Sequence, residues 1–430
     1  MKTSPFTSIT IYSILFCCPA AFAGSPVIPP PLEKIIAHVS VENSGDQARL
    51  DTVLHLVVDE LDLKTQAEVR ELVVYHGDRP LPTQPLDADG NGEVETVATM
   101  VDLEGGERLS LKVVIDESVA AARPWPRRTQ AELSRKIGGA WEEGGYVGGD
   151  FVNVASLTFD GQLPYPNDFM RYEGPGWESD KVGYRLYLDH RNGMDVFGKL
   201  VPAMVLQNVG TKEFGSYHEP AVWGMDILKV GSSLGMGGFG AWSEGEAYRV
   251  SETDRTRCSV LSNGPLLSQI MLEYEGWKSP EGETDLKTIL SIEAGSYLTK
   301  ATLMLERALP MMVAGIPKHP DVQWLRGETD MGNERWTYLA AYGPQSLFGD
   351  HLGLVVFVRG DNFGGFAEDK HNQLIRLKIN NGRASYQFGA VWESSTEEAA
   401  SLAGFNRWIE SALNRLEHEP EIIIPTIDYP

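Results

Sequence analysis

Between Trp177 and Arg191 the chain reads Trp-Glu-Ser-Asp-Lys-Val-Gly-Tyr-Arg-Leu-Tyr-Leu-Asp-His-Arg. Side chains of a strand alternate between its faces, so Val182, Tyr184, Leu186 and Leu188 share one face and Lys181, Arg185, Tyr187, Asp189 and Arg191 the other. A guanidinium fork grips a carboxylate at two points. The second face therefore predicts a cleft for an anionic or hydroxyl-rich ligand, against the alternative of an exposed edge holding an Arg–Asp ion pair.

A second cluster lies in Ser216-Tyr-His-Glu-Pro-Ala-Val-Trp-Gly-Met-Asp-Ile-Leu-Lys229, which brings Tyr217, His218, Glu219, Trp223, Asp226 and Lys229 together ahead of a glycine-rich run to Trp242. Pro220 forces Glu219 toward extended backbone, and the glycines allow close approach, so a shaped loop is expected. His218 is a candidate base; the alternative is a ring that hydrogen-bonds locally. A third cluster, His319 to Arg326 followed by Arg335-Trp-Thr-Tyr338, offers Trp324 as an aromatic platform and Arg326 as a cation. Gly231 to Gly240 imitates a dinucleotide fingerprint without the strand, helix and distant acid that give it meaning. No zinc pattern, nucleophile elbow or phosphate loop occurs.

These clusters need a scaffold, and the spacing of apolar residues predicts a β one. Lys2, the apolar run Ile9 to Phe16 and Ala21-Phe-Ala23 read as a signal peptide over 1–23, which places the mature protein in the periplasm or outside the cell. The prolines of 26–34 make an extended tether. Two of the 3 cysteines fall in the leader, leaving Cys258 without an intramolecular partner. No later apolar run approaches the ~20 residues of a membrane span, so the protein is expected not to be membrane-embedded. A net charge of −23 argues against a nucleic-acid partner.

Short β-like runs (Ile36–Val41, Val53–Val58, Glu71–Tyr75, Val97–Val101, Leu109–Val114) predict an immunoglobulin-like sandwich over 33–116. Its Asp87-Ala-Asp-Gly-Asn-Gly92 reads as a hairpin turn, with a structural calcium ion as the alternative, although the EF-hand glutamate position holds Ala98. Residues 117–150 read as a connecting segment, with Thr129-Gln-Ala-Glu132 capping a short helix. From 151 to 430 strands recur at Tyr184–Leu188, Ile270–Tyr274, Thr288–Ile292, Tyr297–Glu306, Leu352–Val358 and Leu374–Ile379 with no alternating helices. The expected class is mainly β: the first sandwich, then a large antiparallel sandwich of the supersandwich type with a C-terminal helix opened at Ser395-Thr-Glu-Glu398. No oligomeric state is assigned.

Gly174-Pro-Gly-Trp-Glu-Ser-Asp-Lys-Val-Gly-Tyr-Arg-Leu-Tyr-Leu-Asp189, Asp195-Val-Phe-Gly-Lys199, Tyr217-His-Glu219, Trp223-Gly-Met-Asp-Ile-Leu-Lys-Val-Gly231 and Tyr342-Gly-Pro-Gln-Ser-Leu347 resemble the signatures of a secreted bacterial family, domain-of-unknown-function family 4861. That family includes oligosaccharide dehydratases acting on ulvan fragments, and the likeness spans nearly the whole mature chain. It implies a carbohydrate-active enzyme that eliminates water from the non-reducing-end uronic acid of an acidic oligosaccharide, giving a C4–C5 double bond, with no cofactor required. Such chemistry needs a cation on the carboxylate, a base at C5 and an acid at the C4 oxygen. By residue type, Arg185 with Lys181 or Arg191 suits the first task, His218 the second, and Tyr184, Tyr187 or Tyr217 the third. Two rivals remain: a glycoside hydrolase using a pair among Glu178, Asp180, Asp189, Glu219 and Asp226, and a non-catalytic sugar-binding protein.

Overall fold

The computed structural model describes residues 34–424 apart from 62, 64, 124, 167, 212–214 and 330–334. The leader and nearly all of the tether lie outside the described residues. The rest is mainly β, as the alternating patterns require. No described helix is long and apolar enough to cross a membrane, and Cys258 is buried and unpaired.

All five N-terminal runs fall on strands, to within a residue at their ends. Lys34–Glu42, Arg108–Ile115, Leu72–His76 and Arg79–Pro80 line up in one sheet, and Arg49–Val57, Thr96–Leu103 and Thr83–Leu86 in a second. Residues from both sheets, among them Val39, Leu54, Leu72, Val97 and Leu111, make one apolar core. The last described strand, Glu421–Ile423, joins the first sheet antiparallel to Lys34–Glu42, so the first and last described strands are neighbours. In the acidic turn Asp87 accepts from the backbone N–H groups of Gly90 (2.7 Å) and Gly92 (2.8 Å). The carboxylates of Asp87, Asp89 and Glu95 lie within 4.8 Å of one another, so the third acid is Glu95 rather than a residue at position 98.

The larger body packs a nine-stranded antiparallel sheet against two five-stranded ones. The site is carried by the sheet whose order is Gly224–Asp226, Met194–Lys199, Val182–Leu186, Gly176–Ser179, Thr129–Glu132. Its inner face sends Trp177, Tyr184 and Val196 into a core shared with Phe239, Ile270, Leu290, Leu354 and Phe388 of the other sheets.

Two helix expectations are corrected. Thr129–Glu132 is a strand, paired with Gly176–Ser179 and wholly buried. Glu132 spends its carboxylate on Arg171 and Tyr172 instead of a helix N-terminus. The C-terminal helix begins later than Ser395: Thr396 caps a single 3-10 turn, and Ser401, accepting from Gly404 N at 3.1 Å, opens Leu402–Glu417. Its Phe405, Ile409 and Leu413 pack on Tyr342, Phe357 and Val391, bracing the outer face of the nine-stranded sheet.

The two sandwiches are bonded through specific groups. Gln84 donates to Ser262 Oγ (2.7 Å) and Leu267 O (2.9 Å) and accepts from Leu266 N and Leu267 N. Beside it Leu86, Ala98, Leu266, Leu267 and Ala294 form a buried apolar cluster. Arg128 links Asp51 (2.5 Å) to Asp180 (2.6 Å).

Candidate active site

Alternation along Val182–Leu186 separates the two groups of side chains as expected, yet both faces are buried. Loops at 171–173, 200–211 and 215–218 cover the polar face through Tyr172, Val205, Leu206 and Tyr217, which pack on Phe197. A charged face enclosed in this way must satisfy itself internally. Antiparallel register sets Asp195 opposite Arg185, and Asp226 one strand further out beside Phe197.

Arg185 is 2% exposed. Its Nη2 donates to Asp195 Oδ2 (2.7 Å) and Asp226 Oδ2 (2.5 Å), and Nη1 to Glu173 Oε2 (3.3 Å). The rings of Tyr217, Tyr187 and Phe197 surround the guanidinium at 4.7, 5.1 and 5.4 Å. This corrects its assignment as the grip on a ligand carboxylate, because both Nη atoms are already held and the whole side chain, including an Nε with no partner, is sealed from solvent. Asp189 is likewise structural: it is 1% exposed and accepts three bonds from Arg191.

Arg191 stands nearer the surface, with 18% of its side chain exposed, sandwiched between the rings of Tyr165 (4.0 Å) and Tyr187 (4.1 Å). Nε and Nη2 are held by Asp189 and Glu173; Nη1 donates to no group among the described residues. Arg249 donates to Ser233 O at 2.6 Å. Burial, and then the like charge of Arg191, lower its pKa.

Two arginines thus face four carboxylates, Glu173, Asp189, Asp195 and Asp226. Burial and the neighbouring Asp226 push the Asp195 carboxyl up to about 7 against the pull of Arg185. Tyr187 donates its hydroxyl to Asp195. Burial pushes the Tyr187 phenol well above its ordinary value and Tyr217 up to about 12, so both are neutral acids.

His218 closes the 3-10 turn Ser216–His218, entered through Gly215 at φ 82°. Its side chain is 47% exposed, and Nε2 lies 3.2 Å from Asp226 Oδ2. The hydrogen bond to Asp226 raises the imidazole pKa, opposed by burial and by Arg185. The ring centroid is 4.6 Å from that of Tyr217. The result is a chain of contacts from exposed imidazole through a buried carboxylate, guanidinium and second carboxylate to a phenol.

Glu219 and Lys229 are exposed, and Trp223 is half-buried, edge-on to Phe197 at 5.9 Å. Other candidates fall elsewhere. Tyr184 is turned into the core, donating to Tyr297 O (2.7 Å) and accepting from Ala390 N (3.0 Å), so it is removed as an acid. Lys181 sits in the turn before the strand, where parity no longer decides direction, and lines a cleft that none of these residues enters. Trp324 and Arg326 lie on the edge strand Gln323–Glu328, with Arg326 bonded to Gln373 Oε1 (2.7 Å) and stacked on Phe366.

Sequence reasoning passed over Tyr165, Tyr172, Glu173 and Arg249 as site residues. Tyr172 and Glu173 hold positive φ of 42° and 71°, unusual for residues with side chains and characteristic of strained functional backbone. Gly224 and Gly235 serve backbone packing rather than ligand approach: a Cβ there would meet Gly198 O at 1.8 Å or Met194 O at 1.9 Å.

Residues 41–422 match the family model described as "Domain of unknown function (DUF4861)". The chain belongs to this family. It is also similar to "Uncharacterized protein P7" of Formosa agariphila, with 22% identity over 271 residues, covering 58% of this chain and 66% of that one. Among solved structures it is similar to an alpha-mannosidase and a glycosyl hydrolase family 38 protein, both from Enterococcus faecalis, at 7% and 6% identity and TM-scores of 0.44 and 0.42. Each alignment covers 91% of this chain but only 46% and 47% of those chains.

Proposed function

We propose that this member of the DUF4861 family is a carbohydrate-active lyase that removes water from the non-reducing-end uronic acid of an acidic oligosaccharide. The observation that carries the reading is the exposed His218 imidazole held by the buried Asp226 carboxylate, on the same network as a neutral tyrosine. Neutral His218 takes the proton from C5. Its other polar contact, Asp226, orients the ring and stabilises the imidazolium that forms.

The electron pair left at C5 forms the C4–C5 double bond, and the C4 oxygen departs as water on receiving a proton from Tyr187, which is 5% exposed and meets the substrate where its ring stacks on the partly open Arg191, its hydroxyl turning there from Asp195. Asp195, with its carboxyl near 7, can return a proton to Tyr187 through their hydrogen bond. Arg191 Nη1 offers the cation that makes the C5 proton acidic by pairing with the substrate carboxylate. Arg185 is a positioning residue beneath this chain, and Tyr217 the ring that seats both Arg185 and His218.

The hydrolase alternative is less well supported by the same geometry. Glu178, Asp189 and Asp226 are buried, and Arg128 holds Asp180. A glycosidase needs two accessible carboxyls flanking the scissile bond, and of those five candidates only Glu219 is exposed. Incubation with uronic-acid-terminated oligosaccharides, followed by mass spectrometry and ultraviolet absorbance, tests the reading. Loss of one water with new absorbance is expected; release of two saccharides would replace the reading with hydrolysis.

A further inference from the structure

A cleft of about 950 Å³ opens between the N-terminal sandwich, the outer face of the nine-stranded sheet and the C-terminal helix. None of its lining residues belongs to the His218 network. Across its floor Gln269, Ser291, Lys300 and Gln387 are direct register partners on four successive strands, which puts all four on one face in a row. At the ~4.8 Å spacing of strands this row runs roughly 14 Å, a length that suits several pyranose rings laid across the strands. Trp408 on the helix stands over this floor with Tyr297 edge-on to it at 5.9 Å, an aromatic wall of the kind sugar rings stack on.

The charges point the same way. Arg49, Lys181, Lys300 and Arg415 all line the cleft, and none forms an ion pair among the described residues. Four acids line it too: Asp51 is bound by Arg128 and Glu293 by His55, while Glu398 and Glu419 form no ion pair among the described residues. Arg49 gives its Nη donors to the carbonyls of Arg415 and His418 instead of to a carboxylate, with Glu419 and Glu293 acting on its charge from nearby. Burial and the proximity of Arg415 bring the Arg49 pKa down to about 10. Cations without an ion pair and acids thus alternate around the cleft, so anionic groups of a ligand can be met one by one at Lys181, Lys300 and Arg415 despite a net charge of −23 on the chain, since distant surface charge is screened.

We propose that this cleft is a separate binding site for an acidic glycan, holding pyranose rings against Trp408 and the polar row while the cations meet carboxylate or sulfate groups. It rests on the reading of the substrate class as an acidic oligosaccharide but not on the chemistry assigned to His218.

The test uses the full-length chain carrying His218→Ala, so that no probe is turned over, titrated calorimetrically with an oligoglucuronate tetrasaccharide and a neutral glucan tetrasaccharide. Adding Lys300→Glu or Trp408→Ala, with unchanged melting temperature as the check on folding, is expected to weaken oligoglucuronate binding by about tenfold or more. The neutral glucan should bind far more weakly than the uronate to the parent. Equal binding by the parent and both variants, or equal binding of the two glycans, would overturn the proposal. If the protein with His218 intact leaves oligoglucuronate chemically unchanged while the cleft variants lose binding, the catalytic reading falls and this one stands.

Discussion

At the scale of single residues the proposed elimination turns on protonation. His218 must be neutral to accept the C5 proton, and its bond to Asp226 raises its pKa above the ordinary ~6.5. The acidic limb of the kcat/KM profile should therefore lie above that value, with activity rising as pH increases through it. Asp226→Asn removes the negative partner, so the limb should move to lower pH while the plateau rate falls because the ring is no longer held. A limb that stays in place in this variant would detach His218 from the proton transfer. Tyr187→Phe should cost roughly two to four decades in kcat, the usual worth of a general acid, with Tyr217→Phe costing less; the reverse order in steady-state kinetics would exchange their roles. The pairing of Arg185 and Tyr187 on one face was legible from alternation alone. What alternation could not show is the cover: the 200–211 and 215–218 loops pack over that face by contacts distant in sequence, turning a presumed ligand grip into an enclosed network.

At the scale of elements, the site sheet is held in register by groups whose removal should be felt in the fold. Arg185→Ala leaves Asp195 and Asp226 facing each other without their common partner, and breaking a buried pair costs about 3–5 kcal/mol. Denaturant unfolding measures it, and a loss below about 1 kcal/mol would mean that the carboxylates relax or take up protons more easily than their burial implies. Gly224 sits at φ 129° with Gly198 O where a Cβ would go. Gly224→Ala should push the edge strand outward, move Asp226 from His218, and lower both melting temperature and kcat; a fully active variant would show that the edge strand need not be fixed. The strand Val182–Leu186 was readable because residue types alternate along it, although both its faces are buried. Thr129–Glu132 was misread because a capping-box pattern describes only local bonding, while its backbone pairs with a strand some 45 residues onward, Gly176–Ser179.

At the scale of the whole molecule, the N-terminal sandwich is fastened by Gln84, Arg128 and the Leu86–Leu267 cluster, and the terminal strand Glu421–Ile423 depends on it for its partner. Deleting residues 34–116 would bare that cluster and strip the strand of its sheet, so the remainder should aggregate. Size-exclusion chromatography would show it, and a monomeric, cooperatively folding fragment would contradict this view of the junction. Two sandwiches and a bracing helix were visible in the sequence. Their mutual fastening was not, because it is made by side chains such as Gln84 and Arg128 that look like ordinary surface residues until their partners are known.

The most direct measurement uses an oligouronate carrying deuterium at C5 of its non-reducing-end residue, followed by mass spectrometry and rate comparison with the protium form. The account predicts a product that has lost HDO, a primary isotope effect on kcat/KM, and no turnover with His218→Ala. A product that keeps the deuterium, or two saccharides in place of one, would contradict it.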